Sequence, residues 1–178
     1  MSAIHESTAE IVEKPLSRAE LAERFRDVCA DPRFANVPGK IELDVWGRMV
    51  ISPANNRQGL VQLEVGYRLR SLGGKGLVET SIATSAGVLV ADVVWASTDF
   101  MARHGIETPF MSAPEICIEI ASPSNSIKEL REKVAAYLDA GAVEAWVMYP
   151  QSKRIEFFGQ TGKLATTVFA VDLEGVFD

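Results

Sequence analysis

The chain has 178 residues, of which 47% are hydrophobic and 24% charged, and 18 basic against 24 acidic side chains give a formal charge of −6. A single globular domain of this length buries roughly 70% of the surface its unfolded chain exposes, so its core needs neither a disulfide nor a structural metal. With only Cys29, Cys117, His5 and His104 available, a zinc ribbon, a disulfide scaffold and a CxxC redox motif are excluded, and little remains for a histidine metal site or a Ser-His-Asp triad.

Residues 1–14 are polar and read as a flexible leader to one domain over 15–178. They have neither the cationic start nor the apolar run of a signal peptide, and no later stretch approaches the roughly 18 apolar residues of a membrane span, which predicts a cytoplasmic protein. The acidic balance argues against promiscuous nucleic-acid binding but leaves room for a local positive surface.

In chain order, Ser17 and Glu20 form a capping box that opens a helix through Leu21, Phe25 and Val28, ending near Asp31-Pro32. Strands are predicted over 40–46 and 48–52, turning at Gly47. A second helix is predicted from 56 to about 72. Leu60, Leu63 and Tyr67 lie on one side of it and Val61, Val65 and Leu69 on another, so it is expected to be buried between layers. Gly73-Gly74-Lys75-Gly76 breaks the chain but lacks the spacing and the following Ser or Thr of a Walker phosphate loop. Runs over 77–84 and 87–95 read as a hairpin, followed by a loop over 97–113.

The segment 115–121, EICIEIA, reads as a central strand covered on both faces. After Ser122-Pro123, Ser126 and Glu129 cap a helix whose stripe is Ile127, Leu130, Val134, Tyr137 and Leu138, closed by Gly141. A strand over 143–149 completes a βαβ crossover, and 153–159 with 163–171 are predicted to form a last hairpin. Trp46, Trp95 and Trp146 are expected to pack in the core or at its edges rather than to stack on bases.

Two carboxylates interrupt apolar strands: Asp92 within VLVADVVW and Glu119 within ICIEI. An unpaired charge in such surroundings costs several kcal/mol, so each needs a partner or a metal ion. Strand alternation sets Glu119 on the face of Cys117 and Ala121, whose small side chains leave room for an ion, with Ile116, Ile118 and Ile120 opposite. On the helical wheel Lys133 lies about 90° from the centre of the apolar stripe, whereas Lys128 points away. From that border a lysine can extend its ammonium toward the neighbouring strand.

This order of a hairpin aspartate, a glutamate within IEIASPS and a helix reading ELREKVAAYLDAGAVEAW resembles the putative restriction endonuclease family of bacteria, over about 42–171 and most strongly over 114–150. The resemblance implies an α/β fold with a restriction-endonuclease-like core, a mixed central β-sheet flanked by α-helices, of the PD-(D/E)XK nuclease superfamily. It implies metal-binding acids at Asp92 and Glu119, an active-site lysine at Lys133, and a further glutamate at Glu42. Ala91 replaces the usual proline, Ala121 fills the slot of the superfamily's E-x-K lysine, Tyr149 stands where aspartate is common, and Ala145 where an aromatic is common.

The implied activity is endonucleolytic hydrolysis of DNA with Mg²⁺ or Mn²⁺, held by Asp92, Glu119, the Ile120 carbonyl and waters. Lys133 would orient or deprotonate the attacking water, or stabilise the transition state. The alternative is a catalytically inactive nuclease-fold module that binds nucleic acid or takes part in assembly; a two-carboxylate acid hydrolase stands third. Arg57, Arg68, Arg70 and Lys75 lie in a stretch of local charge +4 and are the candidates for phosphate contact. Cutting two strands predicts a homodimer.

Overall fold

The computed structural model describes residues 14–178, so the leader expected at 1–14 lies, except for Lys14, outside the described residues. Helix α1 (Arg18–Ala30) starts at the capping box of Ser17 and Glu20, and Asp31 ends it while capping a 3₁₀ turn at Pro32–Phe34. Strands β1 (Lys40–Leu43) and β2 (Met49–Ser52) are shorter than the sequence suggests. The reason is Asp44, whose Oδ1 accepts the N–H groups of Trp46 and Arg48, both at 2.9 Å, and so takes the intervening residues into a turn.

Asn55 caps α2 (Asn56–Leu69) by accepting from the amides of Arg57 and Gln58, and a 3₁₀ turn follows at Arg70–Leu72. Only one side of α2 is buried, with Val61, Val65 and Leu69 on the sheet. Leu60, Leu63 and Tyr67 are 60%, 72% and 68% exposed, so the expectation of a helix between layers is corrected: no further element packs on that side among the described residues.

The hairpin β3 (Lys75–Thr84) and β4 (Gly87–Ala96) pairs from end to end except at the rung of Glu79 and Asp92. The loop predicted next contains a short helix, α3 (Thr98–His104), capped by the Ser97 side chain and stopped at Gly105. It carries no apolar period in the sequence, because it spans two turns and buries only Phe100. β5 (Ile116–Ile120), α4 (Ile127–Asp139) and β6 (Glu144–Tyr149) form the expected crossover, with β5 and β6 parallel. β7 (Arg154–Gly159) pairs antiparallel with β6.

The final hairpin is cut short, because β8 is only Gly162–Leu164. Buried Glu144 diverts the chain, accepting from Thr167 Oγ1 at 2.8 Å and the Val168 amide at 2.7 Å. Phe169, Val171 and Leu173 then pack across the sheet instead of extending it.

All eight strands belong to one mixed sheet, in the order β2-β1-β4-β5-β6-β7-β8 with β3 on β4. One face carries α4, where Leu130, Val134 and Tyr137 meet Cys117, Ala121, Ala145 and Val147. The other carries α2, against Ile116, Ile118, Ile120, Trp146 and Met148. α1 closes a third cluster over Leu43, Val88 and Val90. Trp95 and Trp146 are core residues as expected, whereas Trp46 is partly exposed with the Arg48 guanidinium over its ring.

Two features of β4 position the site. Since β3 runs along one of its edges from end to end, broken only at Asp92, β1, which pairs at Val88, and β5, which pairs at Val93 to Trp95, must share the other. Gly87 permits the approach of β1, because a Cβ there would collide with the Leu43 carbonyl. Inward-outward alternation also slips by one near Asp92: Leu89, Ala91 and Val94 all join the core under α4, while Val93 and Trp95 join the core under α2. Across the hairpin Glu79 has φ +46°, a conformation that L side chains rarely adopt. Asp92 therefore sits at a fork, where β1 peels away and β5 begins.

Candidate active site

At the fork the backbone of Val90 has no neighbouring strand on the β1 side. Its N–H donates to Glu42 Oε1 at 2.7 Å, and its carbonyl accepts from Lys40 Nζ at 2.8 Å. Glu42 and Lys40 reach in together because they alternate on one face of β1. Lys40 also bonds Asp92 Oδ1 at 2.8 Å. Asp92 Oδ2 accepts the Ile120 amide at 2.7 Å, tying the two strands together beyond their last paired rung.

One rung beyond Val93 and Ile118, Asp92 stands opposite Glu119. Both are buried, as is Glu42. From α4, Tyr137 donates its hydroxyl to Glu119 Oε1 at 2.5 Å. Lys133 places its ammonium 2.7 Å from Glu42 Oε1 and 3.4 Å from Glu119 Oε2. Its side chain is only 18% exposed, against 85% for Lys128, as the helical wheel predicts. From α2, Gln58 donates to the Ile120 carbonyl at 2.7 Å and Gln62, one turn on, lies 3.4 Å from Asp92 Oδ1. Asp92, Glu119, Lys133 and Glu42, distant in sequence, thus meet in one buried cluster.

Electrostatics follow from this crowding. Burial raises the pKa of Glu119, with the Lys133 ammonium opposing it. Burial also works against the charge on Lys133, but Glu119 and Glu42 outweigh it and hold that ammonium well above the ordinary lysine range. Lys40 is raised as well, burial being outweighed by Glu119 and Asp92. Burial, and then the Glu119 charge, push the Tyr137 phenol well above its usual value, so it donates and does not ionise.

Among the described residues no group of three or more His, Cys, Asp or Glu side chains is arranged as a ready metal cage. What stands here is a smaller set of oxygen donors: the carboxylates of Asp92 and Glu119 in register, and the Ile120 carbonyl beside them. An all-oxygen set of this kind suits a hard divalent cation that keeps several waters, and offers nothing to a thiophilic one.

Of the four basic residues read from the sequence, Arg57 borders the site, on the first turn of α2 and 3.4 Å from the Pro150 carbonyl. Arg68 lies at the other end of the helix, about 15 Å along its axis from Gln58. There it is bound to Glu64 and to the Asp172 carbonyl. Arg70 and Lys75 follow it and are exposed.

A second basic group went unread in the sequence. Arg131, Lys163 and Arg154 surround buried Glu156 at 2.8, 2.6 and 3.8 Å. Glu156 opposes Val147, which opposes Glu119, so this group is about 10 Å from Glu119, two strand spacings away. Sequence reading also passed over Lys40, Tyr137, Gln58 and Gln62. The first was legible as the alternation partner of Glu42 and the glutamines as an i, i+4 pair, but the hydroxyl of Tyr137 was hidden within an apolar stripe.

No helix of the described residues is long and apolar enough to cross a membrane. No curated protein matches the chain. Among solved structures it is similar to a putative nuclease belonging to DUF820 from Anabaena variabilis, with a TM-score of 0.61 at 18% identity, covering 74% of this chain and 80% of that one. That likeness establishes the fold, a mixed sheet flanked by helices as the resemblance implied. The family model described as Uma2, putative restriction endonuclease, matches residues 22–175, nearly the whole described chain, and the protein belongs to that family.

Proposed function

We propose that the protein is a metal-dependent endonuclease that hydrolyses DNA phosphodiester bonds, with Asp92 and Glu119 as ligands of Mg²⁺ or Mn²⁺ and Lys133 as the catalytic lysine. The observation that carries the reading is the burial of two opposed carboxylates beside a lysine, at an open fork of the sheet, in a chain of this family. A divalent ion bound there would supply charge stabilisation at the scissile phosphate and a bound water of lowered pKa.

The chain's own groups do the rest. Tyr137 fixes Glu119 and leaves its second oxygen directed at Lys133. Glu42 holds Lys133 in place. A lysine kept charged by two carboxylates is suited to orienting the water and countering phosphoryl charge, and not to taking a proton. Arg57 on one side, and Arg131, Arg154 and Lys163 on the other, supply positive charge for the flanking phosphates. Cutting two strands calls for two copies, and the exposed stripe of Leu60, Leu63 and Tyr67 is an available face for a homodimer.

The second reading, an inactive module that binds nucleic acid or assembles, draws on the fact that each of the acids is already paired with a lysine. Plasmid nicking in Mg²⁺ or Mn²⁺ separates the two. The wild type nicks and Asp92→Ala, with an unchanged circular dichroism spectrum, does not; equal cleavage by both refutes the assignment, and salt-sensitive binding without cleavage in either metal favours the module.

A further inference from the structure

The cluster contains a second lysine for which the reaction above has no use. Lys40 is only 14% exposed, and it pairs with Asp92, whereas Lys133 pairs with Glu42 and Glu119. Asp92 Oδ2 is committed to the Ile120 amide, so Oδ1 is the oxygen left to receive a cation, and the Lys40 ammonium lies on it at 2.8 Å, with the Gln62 amide at the longer 3.4 Å. Three carboxylates, Glu42, Asp92 and Glu119, against the ammoniums of Lys40 and Lys133 leave the buried group with one net negative charge. A divalent ion would turn that into one net positive charge, and a phosphodiester bound next to it would bring the whole group to neutrality.

We infer that Lys40 is an internal counter-ion that competes with the metal ion for Asp92 Oδ1 and, once displaced, turns its ammonium to the phosphate of the substrate. The inference rests on Asp92 being a metal ligand. Two features of the structure make the exchange feasible. Lys40 lines a cleft of about 430 Å³ with Phe25, Thr80, Val90 and Phe110, so open space adjoins it on a side that none of the three carboxylates lines. Its second bond, to the Val90 carbonyl, holds it beside the site when the bond to Asp92 is given up. Gly39 fixes the start of β1 at this point, since any Cβ there would strike the Ser52 carbonyl. Metal ion and phosphate are thereby coupled: the ion binds weakly until an anion arrives for the displaced ammonium, and the loaded site is assembled only on substrate.

Direct titration with Mn²⁺, followed by calorimetry or by the electron paramagnetic resonance of the free ion, tests this without any turnover. Lys40→Gln is expected to bind Mn²⁺ about tenfold or more tightly than the wild type, because removing a cation next to a cation site lifts its repulsion. Lys40→Arg, which keeps the charge, is expected to stay near wild type. Equal affinity of Lys40→Gln and wild type, with binding lost in Asp92→Asn, overturns the role of Lys40 and leaves the nuclease reading standing. Mn²⁺ binding that is absent from both the wild type and Lys40→Gln, or indifferent to Asp92→Asn, overturns both.

Should Lys40→Gln fail to fold, the side-chain ¹⁵N resonance of Lys40, identified by its loss in Lys40→Arg, carries the test. It shifts on addition of Mg²⁺ if the ammonium is displaced, and a resonance that stays in place overturns the inference.

Discussion

The hydroxyl of Tyr137 offers the most direct probe of the cluster. Tyr137→Phe removes one oxygen and leaves in place a ring that is fully buried among apolar neighbours. The lost bond is made to a buried carboxylate, and Glu119 Oε1 has no other hydrogen-bond partner among the described residues, Lys133 being on Oε2. Hydrogen bonds to charged groups contribute about 1.5–3 kcal/mol, so about 2 kcal/mol of stability is expected to go at pH 7. For a chain of this size that is a fall in Tm of about 4–8 °C.

The pH dependence identifies the partner. Burial raises Glu119 above its ordinary value of 4.5, so at pH 4 the carboxyl is protonated in the folded protein and the bond no longer serves a charge. The gap between wild type and Tyr137→Phe should therefore narrow from pH 7 to pH 4. Urea midpoints at the two pH values, with unchanged slopes, measure it. A loss of equal size at both pH values, or none at pH 7, refutes the account of Tyr137 as the donor to an ionised Glu119.

Two further outcomes follow from the same charges and contacts. Lys133 and Tyr137 both keep their protons in the folded state above their ordinary values of 10.5 and 10.0, whereas the unfolded chain releases them there. Their stabilisation is therefore full below about pH 10 and lost as pH rises beyond it, and urea midpoints from pH 9 to 12 should fall less steeply in Lys133→Met than in wild type. Glu144→Ala strips the acceptor from Trp146 Nε1, Thr167 Oγ1 and the Val168 amide, and about 3 kcal/mol with faster hydrogen exchange confined to 165–178 is expected; exchange unchanged there would refute its hold on the tail.

The sequence revealed most where a single physical rule acts alone. Capping boxes fixed the starts of α1 and α4, and the unbroken run around Glu119 marked the central strand, because such signals need only neighbours in the chain. The wheel position of Lys133 was enough to bring it to the acids. Reading failed where the partner comes from far away. Nothing near residue 165 announces that Glu144 will capture Thr167 and Val168, so the local pattern predicts a longer last strand than forms. On α2 two apolar stripes looked alike, and only the sheet decides which of them is covered. Lys40 and Glu42 satisfy the backbone of Val90, a need created by a fork that no local pattern encodes.

That fork has a consequence for how the site can drift over generations. Glu42, Lys40 and Asp92 each hold a backbone group of β4 or β5, so replacing any of them loosens the sheet whether or not the protein still cuts anything. Glu119, Lys133 and Tyr137 are bound to other side chains of the cluster, so apolar replacement of the Glu119–Lys133 pair, with Tyr137 changing to Phe alongside, leaves the backbone bonds of the strands intact. In a lineage released from selection for activity, the first three would be retained as masonry and the Glu119–Lys133 pair would erode. An intact pair in this chain is therefore the more telling sign of chemistry.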